Sequence, residues 1–422
     1  MTGFLVICVV VAGYALIAKR LSSTILTAPM IFVFVGAILS VTGLLPAQFS
    51  QSLLNPVAEV TLVILLFLDA AQVDLMELRK RHIWPTRMLL IALPLAMALG
   101  TLAGMLFLPG WPVVAIALVA AILAPTDAAL GQAVVTNPDL PVRQRRALTV
   151  ESGLNDGLAL PVVLFFASLT AAKMQTGGEW VVFGAKQILL GPIAGAVIGV
   201  IGARALLWAK RAGTTSDIYE GVGALAMAGA AYLSAVLIGG NGFIAAFVAG
   251  LMFGGIVKGA CKFVYEFTES EGQLLAWSSF FLLGAALVPG AIANLTWSMF
   301  ALILVSLLIV RPLAVWISLI GTDASPLTRI FFGWFGPRGL ATALFALLVL
   351  EEIPQDIGQD ILNIAINAVW ISALLHGVTA APLAKWYARI VAGTDDGPVT
   401  QTDTEMDIQR TEDHPPFRQD KS

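Results

Sequence analysis

The chain carries little charge and almost no cysteine. Only 12% of its 422 residues are Asp, Glu, Lys or Arg, while 58% are hydrophobic. Soluble domains average about 25% charged residues, so the composition excludes an ordinary soluble domain and predicts an integral membrane protein surrounded by lipid. The two cysteines, Cys8 and Cys261, lie in or beside apolar segments and provide neither a disulfide framework nor a Cys/His metal cluster. We therefore expect no bound cofactor.

Motifs for several kinds of chemistry are also missing. The sequence has no GxxxxGK[ST] motif, so it contains no ATP-driven pump, and it has no HExxH or GxSxG motif of a hydrolase. An intramembrane aspartyl protease would need a Gly-x-Gly-Asp context for its second aspartate, which Asn155-Asp156-Gly157 does not provide. We therefore expect a protein that is not an enzyme, and we expect no nucleic-acid partner.

Long apolar runs are abundant. Runs near the ~20 residues that cross a bilayer predict an all-α polytopic membrane protein with about thirteen transmembrane helices. The divider Gly239-Gly240-Asn241 is thin, so 217–257 could hold one span or two. The predicted spans cover residues 3–18, 27–45, 53–73, 86–108, 111–136, 144–171, 180–209, 217–238, 240–257, 270–289, 294–320, 327–350 and 359–391.

Basic residues fall on one side of these spans. Because the first charges, Lys19 and Arg20, follow the first apolar run, that run is predicted to be a retained span with an external N-terminus, and the positive-inside pattern predicts a cytoplasmic C-terminus in the inner membrane of a cell. The other side receives chiefly Lys173 and an acidic loop with Glu351, Glu352, Asp356 and Asp360. The polar tail, about 393–422, is predicted to be disordered. The basic loop residues are Lys19, Arg20, Arg79, Lys80, Arg81, Arg143, Arg145, Arg146, Lys210, Arg211, Lys258, Lys262, Arg329, Lys385 and Arg389.

Two predicted spans contain helix breakers beside a charge near mid-membrane. One reads Ala124-Pro125-Thr126-Asp127, and the other reads Phe335-Gly336-Pro337-Arg338-Gly339. They are the fifth and twelfth spans, so they occupy the same position in two six-helix units separated by one linker span. The odd spacing inverts the second unit relative to the first. Paired interrupted helices that cross each other mark the central site of many transporters.

Six ionisable residues are expected inside the membrane, where each charge costs roughly 2.5–3.5 kcal/mol on insertion scales. Ser152 and Asp156 are four residues apart and share a helix face, while Glu151 points about 140° away from Asp156. Asp156 and Ser152, with Thr126 from the broken span, therefore form a candidate site for a hard monovalent cation. Glu151 is expected to pair with Arg338. The six ionisable residues are Asp69, Asp127, Glu151, Asp156, Arg311 and Arg338.

Plainer interpretations stay open for most of these residues. Asp156 could belong to a structural ion pair, and Ser152 could serve helix packing alone. Asp127 could satisfy helix N-terminal amides at the break. Asp69 could be a solvated position in a funnel, and Arg311 could neutralise backbone carbonyls or another acid. If Asp156 binds a proton or a cation in turn, competition for one carboxylate produces exchange.

The motifs together resemble the monovalent cation/proton antiporter family, in its sodium/proton exchanger branch with an Asn-Asp motif. The resemblance covers residues 1 to about 391. The motifs that carry it are Ala124-Pro125-Thr126-Asp127, Glu151-Ser152-Gly153-Leu154-Asn155-Asp156-Gly157, Arg311-Pro312, Gly336-Pro337-Arg338-Gly339 and the run His376 to Pro382.

The resemblance implies a homodimer with dimerisation helices (about 3–73 and 217–289), mobile core helices (about 86–171 and 294–391) and a linker helix (about 180–209). It also implies that Asp156 binds cation and proton alternately, that Thr126 and Ser152 help to coordinate the cation, and that Glu151 and Arg338 pair.

Asn155 replaces the Asp of electrogenic relatives, which implies electroneutral exchange. At the third span many relatives have Phe-Glu-x-Gly, whereas this chain has Phe67-Leu68-Asp69-Ala70, so Asp69 is an accessory candidate. The expected function is Na⁺/H⁺ or Li⁺/H⁺ antiport. The alternatives are K⁺/H⁺ antiport by the same mechanism and, from other classes, a cation channel or a membrane-embedded hydrolase.

Overall fold

In the computed structural model, the described residues form helices and no strand. The structure describes residues 2–21, 26–45, 47–73, 83–127, 130, 134, 137, 139–171, 186–257, 272–350 and 352–391. The helices are α1 (Thr2–Leu21), α2 (Ala28–Val41), α3 (Ala47–Ala71), α4 (Ile83–Phe107), α5 (Val113–Ile122), α6 (Val142–Ala171), α7 (Gly191–Arg211), α8 (Asp217–Leu237), α9 (Gly242–Val257), α10 (Gln273–Ala286), α11 (Val288–Ala293), α12 (Trp297–Ser318), α13 (Pro326–Trp334), α14 (Leu340–Leu350) and α15 (Gln355–Val391).

The all-α prediction is confirmed, and every predicted span overlaps one of these helices. Six of them, α4, α6, α7, α8, α12 and α15, are long and apolar enough to cross a membrane. The full number of spans stays a prediction, and the short helix α11 was not foreseen. Parts of the charge and tail predictions lie outside the described residues: the side chains of Lys19 and Arg20, then Arg79, Lys80, Arg81, Lys173, Lys258, Cys261, Lys262, Glu351 and the tail 393–422.

In the described part of the chain, three π turns end two residues before a proline: one lies in α4, one lies in α12, and the π turn Lys186–Leu190 leads into α7 before Pro192. In α4 the π turn Met88–Ala92 precedes Pro94, and in α12 the π turn Ser306–Val310 precedes Pro312. Proline lacks an N–H group and its ring clashes with the carbonyl four residues earlier, and a wider turn relieves both problems. Helices α4 and α12 each lead into an interrupted helix, as the predicted two-unit repeat requires, whereas α7 leads into the continuous helix α8, so the π turn accompanies the proline.

Close helix packing positions the segment that carries Asp69. Gly250 and Gly254, four residues apart on α9, lie so close to α3 that a Cβ on either would overlap the backbone of Phe67 or Ala71. Small residues at this spacing let membrane helices approach backbone to backbone. The contact therefore fixes α3 on both sides of Asp69.

A polar clamp joins the starts of α4 and α6 to the turn between α12 and α13. Arg143 forms an ion pair with Asp323 (Nη2 to Oδ2, 2.6 Å), and its guanidinium lies 3.6 Å above the ring of Trp84. The Trp84 indole N–H donates to Asp323 Oδ1 at 2.7 Å. Cation–π stacking and charge-assisted hydrogen bonds act together here.

The clamp should be insensitive to pH except in acid. Partial burial raises the pKa of Asp323, but hydrogen bonds from Arg143 and Trp84 outweigh it and hold the pKa below the ordinary 3.8. A lowered folded pKa stabilises the protein above the unfolded pKa and loses that effect as pH falls through the folded value. Because the pair is exposed, Asp323→Asn should cost under about 1 kcal/mol at pH 7.

Thermal unfolding in detergent tests this prediction. The melting midpoints of Asp323→Asn and of the unsubstituted protein are compared at pH 7 and again below pH 4. The gap between them should shrink in acid. Asp139→Asn removes another exposed carboxylate and controls for the loss of charge alone. A gap that stays the same at both pH values would contradict the prediction.

Candidate functional site

The two interrupted helices meet each other at their breaks. Helix α5 ends at Ile122, α13 ends at Trp334, and non-helical residues follow each of them. The backbone N–H of Asp127 donates to the carbonyl of Pro337 at 2.9 Å. Nη1 of Arg338 donates to the carbonyls of Ala124 and Pro125 at 2.8 and 2.9 Å. Both predicted breaks are thus confirmed, and the two chain segments contact each other directly.

At this contact, the side chains of Asp127 and Arg338 offset the partial charges of two helix ends. The carboxylate of Asp127 accepts a hydrogen bond from the N–H of Leu340 at 2.7 Å, at the start of α14. Helix N-termini carry a partial positive charge and favour such an acceptor. At the C-terminal end of α5, the positive charge of buried Arg338 offsets the partial negative charge of the carbonyl groups. A Cβ on Gly339 would overlap the Asp127 side chain, so glycine makes this cap possible.

The buried acid Glu151 pairs with Arg311, so the prediction of a Glu151–Arg338 pair is wrong. Nη1 and Nη2 of Arg311 donate to the two carboxylate oxygens of Glu151 at 2.9 and 3.1 Å. The Glu151 and Arg311 side chains are 2% and 6% exposed. Arg338 is occupied by the carbonyls at the break, and a Cβ on Gly336 would overlap the Arg311 side chain. Glycine thus opens the route by which Arg311 reaches Glu151.

The hydroxyl of Thr126 connects the broken segment to α6. It accepts a hydrogen bond from Nδ2 of Asn155 at 2.6 Å and donates to Oε2 of Glu151 at 3.3 Å. Its oxygen also lies 3.5 Å from Oγ of Ser152. Three residues of α6 therefore hold this threonine, and the Asn155 amide orients it.

Asp156 and Asp69 come from different helices. Oδ1 of Asp156 is buried without a hydrogen-bond partner among the residues that the structure describes. Its carboxylate is close enough to Asp127, Asp69 and Glu151 for their charges to interact. The backbone of Asp69 passes α6 at Gly153, where a Cβ would lie 3.6 Å from the Asp69 carbonyl oxygen. Unpaired carboxylates rarely persist in apolar surroundings, so Asp156 and the acids near it form a candidate ion site.

Helix α15 supports the second break through Ser372, which sequence reasoning did not select, and through His376, which it named only as the start of a motif. Oγ of Ser372 accepts a hydrogen bond from the backbone N–H of Arg338 at 2.7 Å and lies 3.0 Å from Nδ1 of His376. Nε2 of His376 lies 3.0 Å from the carbonyl oxygen of Trp334, the last residue of α13. The available signal was a serine and a histidine four residues apart, on one face of α15.

Interrupted helices that cross at a buried carboxylate define an architecture found in membrane transporters. Residues 5–386 match the family described as sodium/hydrogen exchanger, transmembrane, and the chain belongs to that family. The match covers nearly all of the described helices.

Individual relatives agree with this assignment. The K(+)/H(+) antiporter NhaP of Alkalimonas amylolytica is 26% identical over 272 residues, which are 64% of this chain and 46% of that protein. The chain thus spans about half the length of such relatives. The probable Na(+)/H(+) antiporter 2 of Methanocaldococcus jannaschii is 25% identical over 404 residues, covering 88% of this chain and 94% of that protein.

A solved structure has the same fold. It is the sodium proton antiporter MjNhaP1 from Methanocaldococcus jannaschii at pH 8, which superposes with a TM-score of 0.76 at 20% sequence identity. The superposition covers 93% of this chain and 99% of that one.

Proposed function

We propose that the chain is a secondary antiporter that exchanges Na⁺ or Li⁺ for H⁺ across a cell membrane. The observation that carries the proposal is the buried, unpartnered oxygen of Asp156, beside two crossing helix breaks. A carboxylate without a partner in such surroundings is stable when it holds a proton or a cation. A single group that binds either one, but not both together, couples their movements.

The proposed cation ligands are Asp156, Ser152 and Thr126. Ser152 and Thr126 supply neutral hydroxyl oxygens, and their oxygens are 3.5 Å apart. Hard monovalent cations prefer such oxygen donors together with one negative charge. Asn155 contributes by holding the Thr126 hydroxyl, and Asp127 contributes chiefly charge, because one of its oxygens accepts from Leu340.

Movement and stoichiometry are also proposals. The protein would work as a homodimer with an elevator-like cycle. In this cycle a core would move against dimerisation helices near 3–73 and 217–289, and the core would consist of the two interrupted helices with α4, α6, α12 and α15. The Glu151–Arg311 pair would keep the core rigid during this movement, because its charges are already matched. Asn155, in place of a second carboxylate, favours electroneutral exchange.

K⁺/H⁺ antiport is the second candidate. The relatives with that name, such as NhaP of Alkalimonas amylolytica, favour it over the region they share with this chain. The same ligand set could bind K⁺, which differs from Na⁺ mainly in size. The distances among the ligand oxygens during transport would therefore decide which cation binds better.

Proteoliposomes with a trapped pH dye test both candidates. With an acidic interior, an external pulse of Na⁺ or Li⁺ should raise the interior pH. A larger response to K⁺ would favour the second candidate, and no response to any cation would contradict antiport. Turnover that changes when valinomycin sets the membrane potential would contradict electroneutrality. Conductance without proton coupling would indicate a channel.

A further inference from the structure

One face of α15 carries three polar residues that contact the second break. Ser372, His376 and Thr379 are spaced four and three residues apart, so they lie in one row along the helix. The row contacts Trp334, where α13 ends, and Arg338, which comes before α14 begins. A helix end leaves backbone groups without helical partners, and this row supplies hydrogen bonds to some of them.

The His376 ring connects the two sides of this break. Its Nε2 lies 3.0 Å from the carbonyl oxygen of Trp334, so Nε2 carries a proton and donates it. In a neutral ring, Nδ1 then accepts from the Ser372 hydroxyl at 3.0 Å, and the same hydroxyl oxygen accepts the N–H of Arg338 at 2.7 Å. The Ser372 carbonyl is equally near to Nδ1, but only the hydroxyl can donate. We call this series, Arg338–Ser372–His376–Trp334, the hydrogen-bond chain.

The hydrogen-bond chain reaches the candidate ion site through the contact between the two breaks. Arg338 donates to the carbonyl of Pro125, and the carbonyl of Pro337 accepts from the N–H of Asp127. These two contacts hold the backbone on either side of Thr126, whose hydroxyl is a proposed cation ligand. Outer hydrogen bonds of this kind orient the ligands of metal sites, so displacement of Arg338 would displace Thr126.

We propose that His376 is a positioning residue for cation binding, which acts through Ser372 and Arg338 on the Thr126 hydroxyl. It fixes the distance between Thr126 and the ligands on α6, and with it the preference among Li⁺, Na⁺ and K⁺. A rigid set of ligands discriminates between cations of different size, whereas a loose set adapts to each of them. The proposal rests on the proposed antiport, because it concerns the cation site of that function.

Three variants and a matched control isolate the hydrogen-bond chain. His376→Leu removes both ring nitrogens, and Ser372→Ala removes the acceptor for the N–H of Arg338. His376→Gln keeps one donor and one acceptor, so it should restore part of the chain. Thr379→Val is the control, because the Thr379 hydroxyl accepts from the Trp334 indole N–H and not from the backbone of the break.

Hydrogen exchange tests the hydrogen-bond chain without any transport measurement. The full chain in detergent is deuterated, and peptides that cover 335–340 are followed by mass spectrometry. Loss of one hydrogen bond should speed exchange of the Arg338 amide about tenfold.

We expect faster exchange in Ser372→Ala and His376→Leu, a smaller change in His376→Gln and none in Thr379→Val. Ser372→Ala removes a single oxygen atom, so it remains informative if His376→Leu does not fold. Unchanged exchange in Ser372→Ala, or an equal change in Thr379→Val, would overturn the proposal.

Cation affinity tests the positioning role. Exchange rates in proteoliposomes at several concentrations of Na⁺, Li⁺ and K⁺ separate the apparent KM from the maximal rate. His376→Leu and Ser372→Ala should raise the apparent KM for the preferred cation about three- to tenfold and weaken that preference. His376→Gln and Thr379→Val should stay close to the unsubstituted protein. A lower maximal rate with unchanged KM and preference would mean a structural role only and would overturn the proposal.

Cation-dependent melting separates failure of this proposal from failure of the proposed antiport. An unsubstituted chain without any cation-driven pH change would contradict antiport, while hydrogen exchange would still decide the hydrogen-bond chain. The cation concentration that gives half of the rise in melting midpoint would still decide the positioning role. It should be about three- to tenfold higher in Ser372→Ala than in Thr379→Val. Equal concentrations, or no rise in the unsubstituted protein, would overturn that role.

Discussion

Replacing Arg311 with methionine should destabilise the protein by about 3–5 kcal/mol, because Glu151 would remain buried without its counter-ion. The two side chains are 6% and 2% exposed and share two hydrogen bonds, so water cannot replace the lost partner. Glu151→Gln should have a similar effect by stranding Arg311. The measurement is the midpoint of thermal unfolding in detergent.

A double variant and an exposed pair supply the controls. Glu151→Gln with Arg311→Met removes both charges, so it should be less destabilised than the sum of the single variants. Arg143→Met breaks the Arg143–Asp323 pair, whose side chains are 37% and 56% exposed, and should cost about 1 kcal/mol or less. Equal losses from Arg143→Met and Arg311→Met would contradict the assignment of a buried pair.

The breaks could be predicted from the sequence because proline or glycine beside a charge disfavours a continuous apolar helix, although α12 accommodates Arg311-Pro312 with a π turn instead of a break. Ala124–Asp127 and Phe335–Gly339 both met that condition. The face shared by Ser152 and Asp156 followed equally from helical spacing. These features depend on residues that are near in sequence.

The partner of Glu151 could not be predicted in this way. Spacing gives the direction in which Glu151 leaves α6, but it does not say which arginine of another helix lies there. The π turn Ser306–Val310 adds a residue to one turn of α12, which rotates Arg311 by about 100° from its position in a regular helix. Nothing in local sequence spacing reports that rotation.

Asp127 illustrates the same limit. Capping was one of the interpretations left open for it, but the amide that it accepts from belongs to Leu340 on the other broken helix. The support of Arg338 by Ser372 likewise depends on how α15 packs behind the break. Contacts between different helices are set by tertiary packing, so the sequence indicated the residues of the site better than their pairings.

Asp156→Asn should reduce cation-driven exchange in proteoliposomes to the level of protein-free liposomes. Asparagine keeps the shape of the side chain but can neither release a proton nor offer a negative charge to a cation. Asp69→Asn should retain exchange with a several-fold weaker apparent cation affinity, because Asp69 lies on α3 and would act only through its charge. Exchange rates at several cation concentrations measure both effects.

Stability distinguishes loss of the ion site from misfolding. Neutralising an unpartnered buried carboxylate removes a desolvation penalty, so Asp156→Asn should melt at the same temperature as the unsubstituted protein or higher. Sodium or lithium should raise the melting midpoint of the unsubstituted protein, since a ligand stabilises the state that binds it, and that shift should vanish in Asp156→Asn. Full exchange activity in this variant, or an unchanged cation-dependent shift, would remove Asp156 from the site and leave Asp69 and Asp127 as the remaining carboxylates that could hold the ion.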